Sequence, residues 1–203
     1  MTASADTILD AFLALVAEKG FAEVTLRDVA ARADSGLADL YRLYPDKVAL
    51  ASAFLARVDE AVLAGTPRAI DPEETARDRL FDVMMRRYDA FKPHRAALQS
   101  LRRATTRDPL LALALGPALR RSMAAMLEAA GLASDGLSGA VRQNGLLAID
   151  YAVARVFDRD ETQDLSKTMA ALDSRLKTAE RWAQTFEKYT VSRHGNVTEP
   201  RAE

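Results

Sequence analysis

The stretch TLRDVAARADSGLADLYRLYPDK, residues 25–47, decides how the chain folds. Thr25 stands just before an apolar run, where its hydroxyl suits a helix N-cap, and Asp28 three residues on suits the positive end of the dipole in a variant of the capping box. Leu26, Val29, Ala30 and Ala33 recur at helical spacing and give this short helix a buried face. Asp34 to Gly36 reads as a turn, with Asp34 or Ser35 placed to cap the next helix. Leu37, Leu40, Tyr41 and Tyr44 then fall at i, i+3, i+4 and i+7, and Pro45 stops the helix because its ring removes a donor and clashes with the preceding turn. A short helix, a tight turn and a second helix ending in an aromatic pair fit a helix-turn-helix, whose second helix enters a DNA major groove. The same spacing also fits an ordinary corner of a helical bundle.

Outward from this stretch the periodicity stays helical, and no alternating run is long enough for a strand. Ile8, Leu9, Phe12, Leu15 and Val16 form one face of a first helix that ends at Gly20, a residue suited to a left-handed cap. A longer helix is expected from about Asp46 to Ala64, followed by a boundary at TPRAIDPEE. Further helices are expected near 73–91, 94–105, 109–130, 137–157 and 164–188, with a kink at Gly116-Pro117. The reading is an all-α chain of about nine helices. It divides into a head with its connecting helix (1–64), a helical bundle (65–189) and a polar tail (190–203) expected to be disordered.

Composition narrows the chemistry. The chain has 203 residues, 49% of them hydrophobic, enough for a substantial core, and no cysteine, which excludes disulfides, thiolate metal sites and cysteine nucleophiles. The first residues lack a basic leader and are interrupted by Asp10 and Glu18, so they read as neither a signal peptide nor a membrane span, and a cytoplasmic location is expected. Only His94 and His194 could serve as imidazole bases, and neither has a nucleophile near it in sequence. No GxGxxG or phosphate-loop pattern occurs. No catalysis, cofactor or metal is expected.

Residues 8–55, including AEKGF, TLRDVAARA and LYRLYPDK, resemble the N-terminal domain of the TetR family of transcriptional regulators. The resemblance implies a helix-turn-helix head, a helical effector-binding domain, and a homodimer bound to a double-stranded DNA operator and released by a small apolar effector. Carried over position by position, it places Thr25 and Arg27 on phosphates or base edges and Tyr41 and Lys47 on phosphates. The groove-facing surface would be completed by Leu37, Ala38, Asp39 and Arg42. Two departures stand on that surface: Asp39, where small or hydroxyl residues are usual, and Leu43, where a phosphate-contacting residue is common. In the family the last two long helices pair with those of a second subunit. Here their stripes are Leu137, Val141, Leu147 and Tyr151, then Leu165, Met169, Leu172 and Leu176, which suit such an interface or an internal core. Candidates for an apolar effector pocket are Phe81, Met84, Met85 and Tyr88, with Leu113, Met123 and Met126 on a later helix.

Charge complicates this picture. Residues 1–50 hold five basic side chains against eight acidic ones, although the whole chain carries a net charge of only −1. A carboxylate near phosphates is repelled, yet an aspartate also accepts from a cytosine amino group, so Asp39 could read a base. Positive charge gathers later, in RRYDAFKPHRAALQSLRRATTR, which reads as a solvated face or as a surface for an anionic membrane or acidic partner. A looser resemblance joins residues 145–182 to the lipid-binding accessory protein of ubiquinone biosynthesis, which has a TetR-like fold. It rests on Asp158, Asp160 and Asp164 in a loop, followed by Thr168, Leu172, Arg175 and Leu176. It implies an alternative in which the chain binds an isoprenoid lipid or a membrane surface with a disused head.

Overall fold

A computed structural model describes residues 3–194, with side chains as far as Trp182. Among these, nine α-helices occur: α1 Ala5–Lys19, α2 Leu26–Arg32, α3 Leu37–Leu43, α4 Lys47–Ala64, α5 Ala76–Phe91, α6 Arg95–Arg107, α7 Pro109–Ala129, α8 Gly136–Phe157 and α9 Ser166–His194. A single 3-10 turn, Lys92–His94, joins α5 to α6. The all-α reading and most boundaries hold. α9 runs beyond 188 to His194, and the rest of the expected tail, 195–203, lies outside the described residues. α7 continues through Pro117 as one helix.

The helix starts follow from local chemistry. Ser4, Thr25, Asp46, Thr75 and Asp108 each accept a backbone N–H of the helix they precede, which satisfies donors that have no partner within the helix. Thr25 and Asp28 form the reciprocal capping box. α1 ends at Gly20, whose φ of 90° a side chain would resist.

α2 packs on α1 and α3, while α1 also lies along α6 and α4. α4 has its most extensive packing with α7, and α8 lies against both α7 and α9. One continuous apolar core results. It runs from Ile8 and Phe12 in the head, through Leu50 and Phe54 of α4, to Met84, Met123 and Phe157 in the bundle. α4 therefore belongs structurally to both parts of the chain.

At the centre of the bundle lies a polar cluster that periodicity did not reveal. Arg87 is 1% exposed. Its guanidinium donates to Asp59 Oδ1 at 2.8 Å and to Ser122 Oγ at 2.5 Å, and it stacks over Phe91 at 4.6 Å. Ser122 Oγ also donates to Asp59 Oδ1, and Tyr88 OH donates to Asp150 Oδ1 at 2.9 Å. Burial pushes the Asp59 carboxyl up, and Arg87 and Ser122 only partly offset this. Burial, reinforced by Asp150, holds the Tyr88 hydroxyl well above its ordinary range, so it remains a donor. The cluster ties α4, α5, α7 and α8 together.

A second buried acid closes the α8–α9 loop. Asp160 accepts from Thr168 N and Thr168 Oγ1, each at 2.7 Å, and from Thr162 N at 3.2 Å. Burial alone would raise its pKa, but the hydrogen bonds from Thr162 and Thr168 win and hold it well below the usual carboxylate range. Leu165, at φ 55° and fully buried, accepts a left-handed conformation that costs a non-glycine residue on the order of 1–2 kcal/mol.

Two outcomes test this packing. Arg87→Met is expected to lower the unfolding free energy by about 3–5 kcal/mol because Asp59 is left buried and uncompensated, whereas Arg87→Met with Asp59→Leu recovers much of the loss. Urea denaturation of the three proteins measures it. The Asp160 contribution is complete above the ordinary carboxylate pKa and is lost as pH falls through that value toward the depressed native one. The stability gap between the native chain and an Asp160→Asn variant should therefore narrow in denaturation curves taken from pH 7 down to pH 3. A gap independent of pH would show that the charge is not what holds the loop.

Candidate nucleic-acid interface

Most of the candidate contacts of the head are exposed. The turn between α2 and α3 forms with Asp34 at φ 49°, a conformation that aspartate tolerates better than most residues. Ser35 N–H reaches back to Ala30 O at 2.9 Å and closes the end of α2. Neither Asp34 nor Ser35 caps α3. Its N-cap is Gly36, which offers no side-chain oxygen.

No side chain accepts a hydrogen bond at this helix start, but Asp39 places a negative charge beside it. It sits in the first turn of α3, where the free N–H groups carry partial positive charge, and a Cβ on Gly36 would come within 3.2 Å of its carboxylate. The same carboxylate pairs with Arg42 at 3.0 Å. The acid that looked misplaced on a groove-facing helix thus has a local structural role, and its charge is met one turn away.

Of the apolar spacing along α3, only Leu40 is fully buried. Leu37, Ala38 and Arg42 are exposed, and Tyr41 is 61% exposed. Leu43 is also exposed. Thr25 and Arg27 are exposed at the start of α2, and Arg27 has no side-chain hydrogen bond or ion pair among the described residues. Lys47 differs from the expectation for a phosphate contact. Its ammonium donates to Phe21 O at 2.8 Å and Ala22 O at 3.1 Å and lies 4.8 Å from the Phe21 ring centroid. Burial lowers its pKa. Lys47 ties the start of α4 to the turn after α1.

Much of the head's acidity is likewise engaged. Glu18 pairs with Arg32 at 2.6 Å, and Asp28 lies 3.5 Å from Lys19. Asp10 and Asp6 flank Arg57 of α4 at 2.8 and 3.7 Å. Asp46 accepts Ala49 N–H at 2.7 Å. The Arg32 hydrogen bond lowers the Glu18 pKa, and the Thr25 N–H lowers that of Asp28.

The other expected sites divide. Leu137, Val141, Tyr151 and Met169 are exposed, and Leu147 is half-buried. Leu165, Leu172 and Leu176 are buried in the chain's own core, so they are not available to a second subunit. Met84, Tyr88, Met123 and Met126 are packed in that core around the Arg87 cluster, Phe81 and Met85 are half-buried, and Leu113 is 74% exposed on α7. Leu113, exposed, thus stands apart from the six that lie in or against that core. A cleft of about 600 Å³ opens where the head meets the bundle, lined by Leu13 and Ala14 of α1, Phe54 and Val58 of α4, and His94 and Ala97 at the start of α6.

Most of the basic run is engaged within the chain, while Arg103 and Arg107 remain exposed. Lys92, Arg95 and Gln99 donate to the carbonyls of Gln163, Asp160 and Asp158, and Arg102 pairs with the Asp158 carboxylate. On the same helix Ser100 Oγ accepts Phe21 N–H at 2.8 Å. α6 therefore joins the α8–α9 loop to the head. The acidic loop behind the looser resemblance is accounted for by this clamp and by the Asp160 cap.

Residues 8–54 match the family model for bacterial regulatory proteins of the tetR family. Over 153 residues, 73% of this chain and 68% of the relative, the sequence is 33% identical to the HTH-type transcriptional repressor KstR of Mycolicibacterium smegmatis (strain ATCC 700084 / mc(2)155). A 55-residue stretch, 27% of this chain and 26% of the relative, is 47% identical to the HTH-type transcriptional repressor KstR of Rhodococcus jostii (strain RHA1). Among solved structures, a TetR transcriptional regulator from Nitrosomonas europaea ATCC 19718 superposes with a TM-score of 0.70 at 22% identity, covering 87% of this chain and 97% of that one. At that identity the likeness concerns the fold.

Proposed function

The chain belongs to the tetR family of DNA-binding transcriptional regulators, and from that premise we propose that it is a repressor whose two heads, in a homodimer, read operator half-sites and let go when a small molecule binds. The observation that carries this reading is the outer surface of α3. Leu37, Ala38 and Tyr41 stand exposed there, and Arg27 is exposed at the start of α2. Small and apolar side chains suit the thymine methyl in a major groove, Tyr41 and the unpaired Arg27 suit phosphates, and Thr25 is close to its own helix start. The Asp39–Arg42 pair must open or turn aside for Arg42 to reach the backbone.

Two half-sites require twofold symmetry. The exposed stripe of Leu137, Val141 and Ala148 on α8, with Met169 on α9, supports pairing with a second copy. An effector in the 600 Å³ cleft between α1, α4 and α6 would touch head and bundle together. It would release DNA by favouring the arrangement in which the heads no longer match adjacent grooves.

Titration of the purified chain with its own upstream DNA tests the reading. The logarithm of affinity should fall with the logarithm of salt, and absence of specific binding at low salt would overturn it. Asp39→Thr, which frees Arg42 and removes a charge, is expected to tighten non-specific binding; unchanged or weaker binding would show that the carboxylate is not repulsive. For the dimer, Val141→Arg is expected to give a folded monomer in sedimentation experiments and to lose operator binding. A variant that stays dimeric would count against the α8 face.

A further inference from the structure

Beyond the apolar stretch of α8, its last turns and the second half of α6 enclose a groove of about 520 Å³. Four of its lining residues are arginines, Arg102, Arg103, Arg155 and Arg159, against a single acid, Asp158. That acid is already paired with Arg102. Arg103, Arg155 and Arg159 are exposed and take no side-chain hydrogen bond or ion pair among the described residues. Three uncompensated cations around one concavity repel one another. The carbonyl end of α8 offsets part of this at Arg155, which stands in its last turn. The concentration also stands out against a chain whose net charge is −1.

The walls of this groove are held in place. Gln99 donates to Asp158 O at 2.6 Å, and Thr106 Oγ1 donates to Arg102 O at 2.8 Å, so the clamp that ties α6 to the α8–α9 loop also fixes one side. Tyr151, 57% exposed, forms part of the rim. Guanidinium groups present paired N–H donors that match phosphate oxygens, and the volume suits a small organic ligand.

We propose that this groove binds a small phosphorylated ligand of the nucleoside-diphosphate class, with Arg103, Arg155 and Arg159 on its phosphates and Tyr151 beneath its ring. Its phosphates compete with Asp158 for Arg102, and binding there is felt along α6, which holds the head through Ser100. The site stands whether or not the head reads DNA.

Calorimetry on the full chain with pyrophosphate, adenosine diphosphate and sulfate tests it. Pyrophosphate and the nucleotide are expected to bind once per chain and sulfate much more weakly. Arg155→Gln with Arg159→Gln, both exposed positions, should keep the unliganded melting temperature and weaken pyrophosphate binding by about tenfold or more. Tyr151→Ala should weaken the nucleotide alone. No binding of either phosphate compound, or equal binding by the double variant, would overturn the proposal. So would a double variant that loses affinity only for DNA or for phosphatidylglycerol vesicles, since either result gives these arginines to a polymer or a bilayer.

Discussion

A guanidinium removed from water must be met by acceptors, and in this chain the need of Arg87 organises the bundle. Asp59 comes from α4, Ser122 from α7, and Asp150 of α8, which accepts from Tyr88, lies 4.0 Å from the guanidinium. A buried ion pair adds little net stability compared with a well-packed apolar core, but it tolerates few alternative arrangements. Shifting α4 by a fraction of a turn would strand a charge in the interior. The helix that carries the head is therefore held to the bundle by a contact that is either made or broken, rather than by packing that yields gradually.

α6 provides the second connection. It donates to the α8–α9 loop through Arg95, Gln99 and Arg102, joined by Lys92 of the preceding turn, and Ser100 holds the turn after α1. The loop it grips is itself held by the Asp160 cap and the left-handed Leu165. The two helices suggested to face a second subunit and the head that meets DNA are thus joined by a short, hydrogen-bonded path. The proposed phosphate groove sits on that path, and the junction cleft lies beside it.

The acidity of the head also has a local explanation. Asp28 and Asp46 start helices, Glu18 and Asp10 hold arginines, and Asp39 serves a helix whose N-cap is glycine. By charge count alone these residues form a field facing DNA. Their hydrogen bonds show that several of them act within the fold, while the exposed part of α3 is largely uncharged.

What the sequence by itself determined is what depends on neighbours along the chain. The capping box at Thr25 and Asp28, the turn at Asp34, the stop at Pro45 and the helical periods are local, and they fit a helix-turn-helix; the resemblance of residues 8–55 implied the family. What only the tertiary structure decided is which partner each face meets. Leu172 and Leu176 follow the same spacing as Leu137 and Val141, yet the first pair is buried in this chain and the second is exposed. Arg87 lies in a basic run that looked solvated, Leu113 belongs to an apolar helix that looked internal, and Lys47 serves two carbonyls instead of standing free. Periodicity shows that a face is apolar and composition that a charge is present; only the three-dimensional arrangement of distant residues decides what covers the one and pairs with the other.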